Sequence, residues 1–290
     1  MATRAQIAFH YDVDNDFYSL ILDDKHRAYS CAVWDQAHDL DTAQGNKIAR
    51  MCRYAGMQPG HRIVDVGCGW GGLMLHAVQE LGTASAHGLT LSTEQFNYIR
   101  AGAAPRVSVS LQSWTEHRAP HCSYDAVVSI GAFEHFASRE DRARNEHRQV
   151  YVRFFDWCLA VSTVQAQVGL QTIVTARAPR SLQELRDTRY LLENVFPGST
   201  LPTVADIQAA TVDRYEFLDF RRIGLDYART LQCWSERLHA NADHIVARYG
   251  DSLLQHFATY FAAAERSFRS GLVDLLQLSL RRPQAWRHAR

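Results

Sequence analysis

Apolar positions along the chain change their period several times, and each change marks an element. Ile63, Val64 and Val66 form the short apolar run of a fully buried strand. Gly67, Gly69, Gly71 and Gly72 follow as a turn, and Leu73 to Leu81 continues with helical spacing. Strand, glycine turn and helix form the opening unit of an open α/β sheet. Upstream, Phe17, Leu20 and Ile21 predict a short helix over 16–22. Ala43, Ile48, Met51, Cys52 and Tyr54 predict an amphipathic helix over 41–57, closed by Gly56 and followed by a Pro59-Gly60 turn. Downstream, strands are expected over 85–90, 107–111, 124–130 and 168–174. A helix over 92–102, with Ser92 as N-cap, joins the second strand to the third. One long helix is expected over 138–162, charged at first and apolar from Val152 onward. Beyond 181 the pattern is helical and loop-like to 208, then a strand pair or sheet edge over 217–225, then helices from Asp226 to about 281. In that last stretch Leu253, Leu254, Phe257, Tyr260 and Phe261 share one helical stripe, which reads as core or as the wall of an apolar tunnel.

Composition narrows the classes. The chain of 290 residues is long enough for one elaborated domain or two small ones. Its 31 basic and 31 acidic residues cancel, which leaves no electrostatic footprint for nucleic acid. Lys25 and Lys47 are the only lysines, so nearly all the basic residues are Arg. Six cysteines without a C-x-x-C pair fit a reducing compartment, and with no apolar signal segment the expected location is the cytoplasm. No uninterrupted apolar run reaches about 18 residues. The basic stretch from Arg281 to Arg290 reads as a solvated tail or as a point of peripheral membrane contact.

Candidate chemistry gathers at strand ends. Gly67, Gly69 and Gly72 satisfy a dinucleotide-binding pattern, but Asp65 would sit close to a pyrophosphate and repel it. Strand 85–90 also lacks the terminal acidic residue that a dinucleotide ribose requires. Asp65 would instead welcome a cationic ligand, and the run Asp65-x-Gly-x-Gly-x-Gly71 looks like motif I of S-adenosylmethionine-dependent methyltransferases. A third reading is a glycine turn that only packs helix on sheet. Glu134 and His135 follow the fourth strand at its carboxyl end, where open α/β sheets bind ligands. Trp114, at the end of the third strand, covers an adenine face or packs in the core. Asp12 and Asp14 read as helix caps rather than metal ligands, so no metal is expected.

Taken together, these residues resemble the cyclopropane fatty acid synthase family, in particular its short mycolic acid cyclopropane synthase type. The matching stretches are His10-Tyr-Asp with Asp16-Phe-Tyr, Tyr29-Ser-Cys-Ala32, Val64 to Gly71, Gly88-Leu-Thr-Leu-Ser92 with Gln95, Ser129 to Phe136, Phe196-Pro-Gly198 with Leu201-Pro202, and Tyr227 to Leu231 with Trp234. They occur in the family's order over roughly residues 9–282.

The resemblance implies an α/β Rossmann-like class I methyltransferase sheet with a helical substrate-binding cap. It implies a single methyltransferase domain over 1–290. Residues 1–60 would be a helical segment over the cofactor, 61–175 the cofactor-binding core, and 176–290 the remaining core strands and the cap. S-adenosylmethionine would touch Tyr29, Ser30, Asp65, Gly67, Cys68, Gly69, Gly71, Thr90, Leu91, Ser92, Gln95, Trp114 and Thr115. The implied chemistry is methylation of a carbon–carbon double bond of an unsaturated lipid or acyl chain through a carbocation. In the family a bound bicarbonate takes the proton, in a cage that corresponds to Cys31, Glu134, Ile173 and Tyr227. One cage position departs from the family: Gln171 stands where the fifth strand usually carries His. An amide cannot become cationic, so anion binding should weaken. The segment between Phe136 and Val168 is also longer than usual. Two other readings remain: a small-molecule C-methyltransferase of secondary metabolism without ring closure, and a non-catalytic cofactor-binding protein.

Overall fold

The computed structural model describes residues 14–283. The His10-Tyr11-Asp12 stretch and the tail from residue 284 onward lie outside the described residues. A seven-stranded sheet runs in the order β3-β2-β1-β4-β5-β7-β6. Its strands are β1 (Arg62–Val66), β2 (Ser85–Thr90), β3 (Val107–Leu111), β4 (Tyr124–Ile130), β5 (Ser162–Thr175), β6 (Glu216–Arg222) and β7 (Val273–Arg281). The first five pair in parallel; β7 is antiparallel to both of its neighbours. Chain order reverses between β1 and β4, and the carboxyl ends there form the crevice in which such sheets bind ligands.

Helices cover the sheet. Before β1 come α1 (Asn15–Ile21) and α2 (Leu40–Tyr54); α3 (Gly72–Gln79) and α4 (Thr93–Gly102) are the crossovers that follow β1 and β2. Between β4 and β5 lie α5 (Arg139–Ala143) and α6 (His147–Val161). After β5 come α7 (Leu182–Tyr190), α8 (Val204–Thr211), α9 (Gly224–Ala240), α10 (Ala242–Tyr249) and α11 (Asp251–Arg269). Three apolar clusters hold the layers together. Val64, Val127, Val168 and Leu170 meet Phe154 and Phe155 of α6. Ile63, Ala126 and Val128 meet Met51 of α2 and Met74 of α3. Trp234 of α9 and Phe257 and Phe261 of α11 close over Phe17, Tyr18 and Ile21 of α1 to form the cap. Asp14 caps α1 through the Phe17 N–H, as expected.

Two expectations need correction. The expected single helix over 138–162 is two, because Asn145 takes a left-handed turn (φ 58°) between α5 and α6, and β5 begins already at Ser162. The helical run does not continue to 281. The leucine-rich stretch from Val273 is β7, inserted between β5 and β6. There Leu276, Leu278 and Leu280 join the α6 side of the core while Leu275 joins the cap side, an alternation that only a strand gives. Pairing with two strands overrides the helical propensity of leucine.

Candidate active site

Two adjoining cavities open at the carboxyl ends of the strands. The first is a groove over the glycine turn. Gly67 and Gly69 both have positive φ (81° and 55°) and both border it. A Cβ on Gly67 would collide with the Cβ of Ala132, whereas a Cβ on Gly69 would meet no protein atom within 4 Å and would project into open space. Thr90, Leu91, Ser92 and Gln95 form the middle of the groove. Their geometry is locked: Thr90 Oγ1 donates to Gln95 Oε1 (2.8 Å), and Ser92 Oγ accepts the Gln95 N–H (3.3 Å) as the cap of α4. Trp114 borders the far end and also packs on Phe136, Phe154 and Trp157, with centroids 5.4, 5.4 and 6.1 Å away. This packing bears out the core reading of the tryptophan. Tyr29 borders the groove and the second cavity.

Several expected contacts fall elsewhere. Thr115 does not border the groove; its N–H and hydroxyl both bond Ser113 Oγ (3.2 and 2.9 Å), which turns it aside. Gly71 caps α3 in the left-handed conformation and faces Met74 and Ile99, not the groove. Cys68, Asp65 and Ser30 border a third, small cavity beneath the turn, which the groove meets at Gly67 and Gly69. Cys68 packs over Gly88, and burial holds its thiol well above the ordinary range, so it is neutral.

The second cavity, about 260 Å³, lies between the sheet and the cap. Cys31, Glu134, Gln171, Ile173 and Tyr227 all border it, together with Leu191, Phe196, Leu231, Tyr260 and Phe268. It meets the groove at Tyr29, Gly131 and His135. Exposed Arg139 and Thr175 also border it and mark its mouth.

Charge here is controlled by burial. Glu134 Oε1 accepts the Ile173 N–H at 2.6 Å, while Oε2 is buried with no hydrogen-bond partner. Burial pushes this carboxyl up to about 7, against the Ile173 hydrogen bond, which pulls it down. Burial lowers His135 to about 4, so the ring is neutral at pH 7; its Nδ1 lies 3.0 Å from Ser199 Oγ. Cys31 is fully buried and held well above the ordinary thiol range by burial, and its Sγ donates to the Ala32 carbonyl (3.1 Å). The Gln171 amide is engaged at both ends. Oε1 accepts from Gln277 Nε2 (2.7 Å), whose own oxygen accepts from Arg50 (3.2 Å), and Gln171 Nε2 donates to the Cys31 carbonyl (3.4 Å).

A family model described as mycolic acid cyclopropane synthetase matches residues 1–278. Cyclopropane mycolic acid synthase 2 of Mycobacterium leprae is 32% identical over 93% of this chain and 91% of its own length. The chain belongs to the mycolic acid cyclopropane synthetase family. Among solved structures, the cyclopropane synthase MmaA2 of Mycobacterium tuberculosis superposes with a TM-score of 0.87 at 27% identity, covering 97% of this chain and 99% of that one. The cyclopropane synthase CmaA1 complexed with SAH and CTAB gives 0.85 at 29% identity, covering 96% and 97%. As a member of this family the protein is an S-adenosylmethionine-dependent methyltransferase with a class I sheet. The groove and the small cavity beneath it suit that cofactor: Trp114 Nε1 in the one and Asp65 Oδ1 in the other are buried polar atoms without a protein partner, and the space above Gly69 is open.

The cavities also bring in residues that sequence reasoning missed. Gln112 and Ser113 border the groove beside Trp114. Gln112 Nε2 lies 2.6 Å from His117 Nδ1, and His117 Nε2 lies 2.9 Å from the Tyr124 hydroxyl. Nothing in a linear pattern signals that relay. Lys47 borders the small cavity under the turn and was hidden in the buried face of α2, although one lysine among so few was a signal in itself.

Proposed function

We propose that this protein methylates a carbon–carbon double bond of an apolar acceptor, a lipid or acyl chain, through a carbocation. The observation that carries the reading is Glu134 Oε2: a buried, unpartnered carboxylate oxygen at an apolar cavity that adjoins the groove. Relatives named as cyclopropane synthases support a lipid acceptor, as does a related structure complexed with SAH and CTAB. In this reading the described part of residues 1–60 lies over the cofactor, 61–175 form its core, and the described part of 176–290 supplies the remaining strands and the cap.

When bound, S-adenosylmethionine supplies an electrophilic methyl group, and attack by the alkene π electrons leaves a cation on the acceptor. Tyr29, Gly131 and His135 border both spaces and bring methyl group and acceptor together. Leu231, Tyr260 and Phe268 exclude water that would quench the cation. Neutral His135 adds no competing positive charge. Glu134 Oε2 takes the proton. Removal from the new methyl lets the C–H electron pair close a ring; removal from a neighbouring carbon gives a methylated alkene.

Bicarbonate fits this cavity poorly. The Ile173 N–H is engaged by Glu134, the Gln171 amide by Gln277 and Cys31, and the Cys31 thiol by Ala32. We therefore route no step through it. The second reading, methylation of a compact polyketide, terpenoid or aromatic acceptor without ring closure, is favoured by size. At about 260 Å³ the cavity lies below the roughly 300–1,000 Å³ usual for ligand pockets. Incubation with methyl-deuterated cofactor and a lipid extract tests the proposal. The expected product carries label on carbon, with one deuterium lost from each methyl if the ring closes and none lost if an alkene forms. Label on nitrogen or oxygen only would overturn it.

A further inference from the structure

A line of three buried polar side chains, Arg50, Gln277 and Gln171, runs from the protein surface to the acceptor cavity. Arg50 of α2 pairs through Nη2 with Asp35, whose side chain is 68% exposed. Arg50 Nη1 donates to Gln277 Oε1 at 3.2 Å. Gln277 Nε2 donates to Gln171 Oε1 at 2.7 Å, and Gln171 Nε2 donates to the Cys31 carbonyl at 3.4 Å. The two glutamines stand directly opposite each other in the register of β5 and β7. The line has a direction. An amide donates at one end and accepts at the other, so a pair of amides alone fits either way round; a guanidinium only donates. Arg50 therefore draws the Gln277 oxygen to itself, which turns the Gln277 amide N–H toward Gln171 and the Gln171 amide N–H toward Cys31.

That direction matters at the cavity. Gln171 and Ile173 both border it from β5, two residues and roughly 7 Å apart along the strand. The Ile173 N–H holds Glu134 Oε1, while Glu134 Oε2 has no partner. A Gln171 amide free to turn would offer its N–H to that oxygen. Its commitment to Cys31 withholds the donor. The same bond pins the Cys31 carbonyl, next to Ala32, whose N–H is held by Thr230 Oγ1 (3.1 Å). The Tyr29–Cys31 segment, whose Tyr29 borders both the groove and the cavity, is thereby fixed.

We propose that Arg50 is a positioning residue for the reaction: through Gln277 it fixes the direction of the Gln171 amide, which keeps Glu134 Oε2 free to take the proton. The inference rests on Glu134 as the base. Replacing Arg50 strands no buried charge, because its partner Asp35 is exposed. The other titratable or charged groups about Glu134 are Cys31, His135, Arg139, Tyr151 and Tyr227, and none of them is altered by the variants below.

Titration of the Glu134 carboxyl by carbon NMR tests it, on the full chain labelled at glutamate, with the resonance assigned by its loss in Glu134→Gln. Wild type should titrate at about 7. In Arg50→Met the freed amide donates to the Glu134 anion, and the midpoint should fall by about one pH unit or more, the range for a hydrogen bond to a charged group. Loss of a positive charge alone would move the midpoint up, so a fall reports the amide and not the charge. Gln277→Met breaks the line one step later and should lower the midpoint likewise, whereas Arg50→Lys keeps a donor and should leave it near 7. Transfer of labelled methyl to a lipid extract should drop about tenfold in Arg50→Met and recover in Arg50→Lys, with cofactor affinity within about threefold of wild type throughout. An unchanged or raised midpoint in Arg50→Met overturns the inference, even if turnover is lost; if that variant does not fold, the same result in Gln277→Met overturns it. A wild-type midpoint at the ordinary glutamate value of about 4.3 would instead overturn the base itself, and this inference with it.

Discussion

The groove and the cavity beside it are built in opposite ways. The groove takes its parts from short continuous stretches at successive strand ends: Gly67 and Gly69 after β1, Thr90 to Ser92 after β2, Gln112 to Trp114 after β3. The cavity takes single residues from distant segments: Cys31 before α2, Glu134 after β4, Gln171 and Ile173 in β5, Tyr227 in α9. A groove made of turns depends on backbone shape, so its weak point is an added side chain. A cavity made of isolated side chains depends on their protonation and hydrogen bonds, so its weak point is a functional group.

The largest effect should come from the cavity. Glu134→Gln keeps the shape but cannot accept a proton, and turnover should fall by about 10²–10⁴, the usual contribution of a general base. Cofactor affinity, measured by calorimetry, should stay unchanged. The sign of the pH dependence follows from the raised carboxyl. Glu134 titrates at about 7, so turnover should be lost as pH falls through 7 and the base becomes protonated. His135, pushed down to about 4, adds no limb near neutrality. Loss of cofactor affinity in Glu134→Gln would mean the two regions are not separate.

Gly69→Val is the converse. Its side chain would enter the groove, and an overpacking penalty of about 1–3 kcal/mol predicts cofactor affinity roughly five- to 150-fold weaker. Equal affinity would remove the glycine turn from the site. A smaller effect sharpens the contrast within the cavity. Gln171→His releases Gln277 and introduces a group able to become cationic. Bicarbonate should then stimulate the variant by about tenfold more than wild type. No difference in stimulation would show that residue 171 does not govern anion binding.

How far each region was legible follows from the same contrast. Strands β3 and β4 appear with the expected bounds because the Val-Ser alternation of the first and the apolar run of the second, closed by Gly131, leave little freedom. β7 reads as helix in the sequence because a leucine-rich stretch has no strand signature until β5 and β6 flank it. The resemblance implies Thr115 as a contact, but the strand-end turn gives that place to Ser113 and Gln112. The burial of Lys47 is not legible in the sequence, because helical periodicity marks its face of α2 as core and does not report a buried charge. Glu134 could be placed at a strand end from sequence alone, but the state of its two oxygens depends on Ile173, 39 positions away.

The account turns on Glu134 acting as proton acceptor without a bound anion. Turnover of wild-type protein on an unsaturated acceptor, in buffer depleted of bicarbonate and then supplemented with it, tests this most directly. The account predicts the same rate in both conditions, within about twofold. Near-complete loss on depletion and strong rescue on addition would contradict it and return the proton to a bound anion.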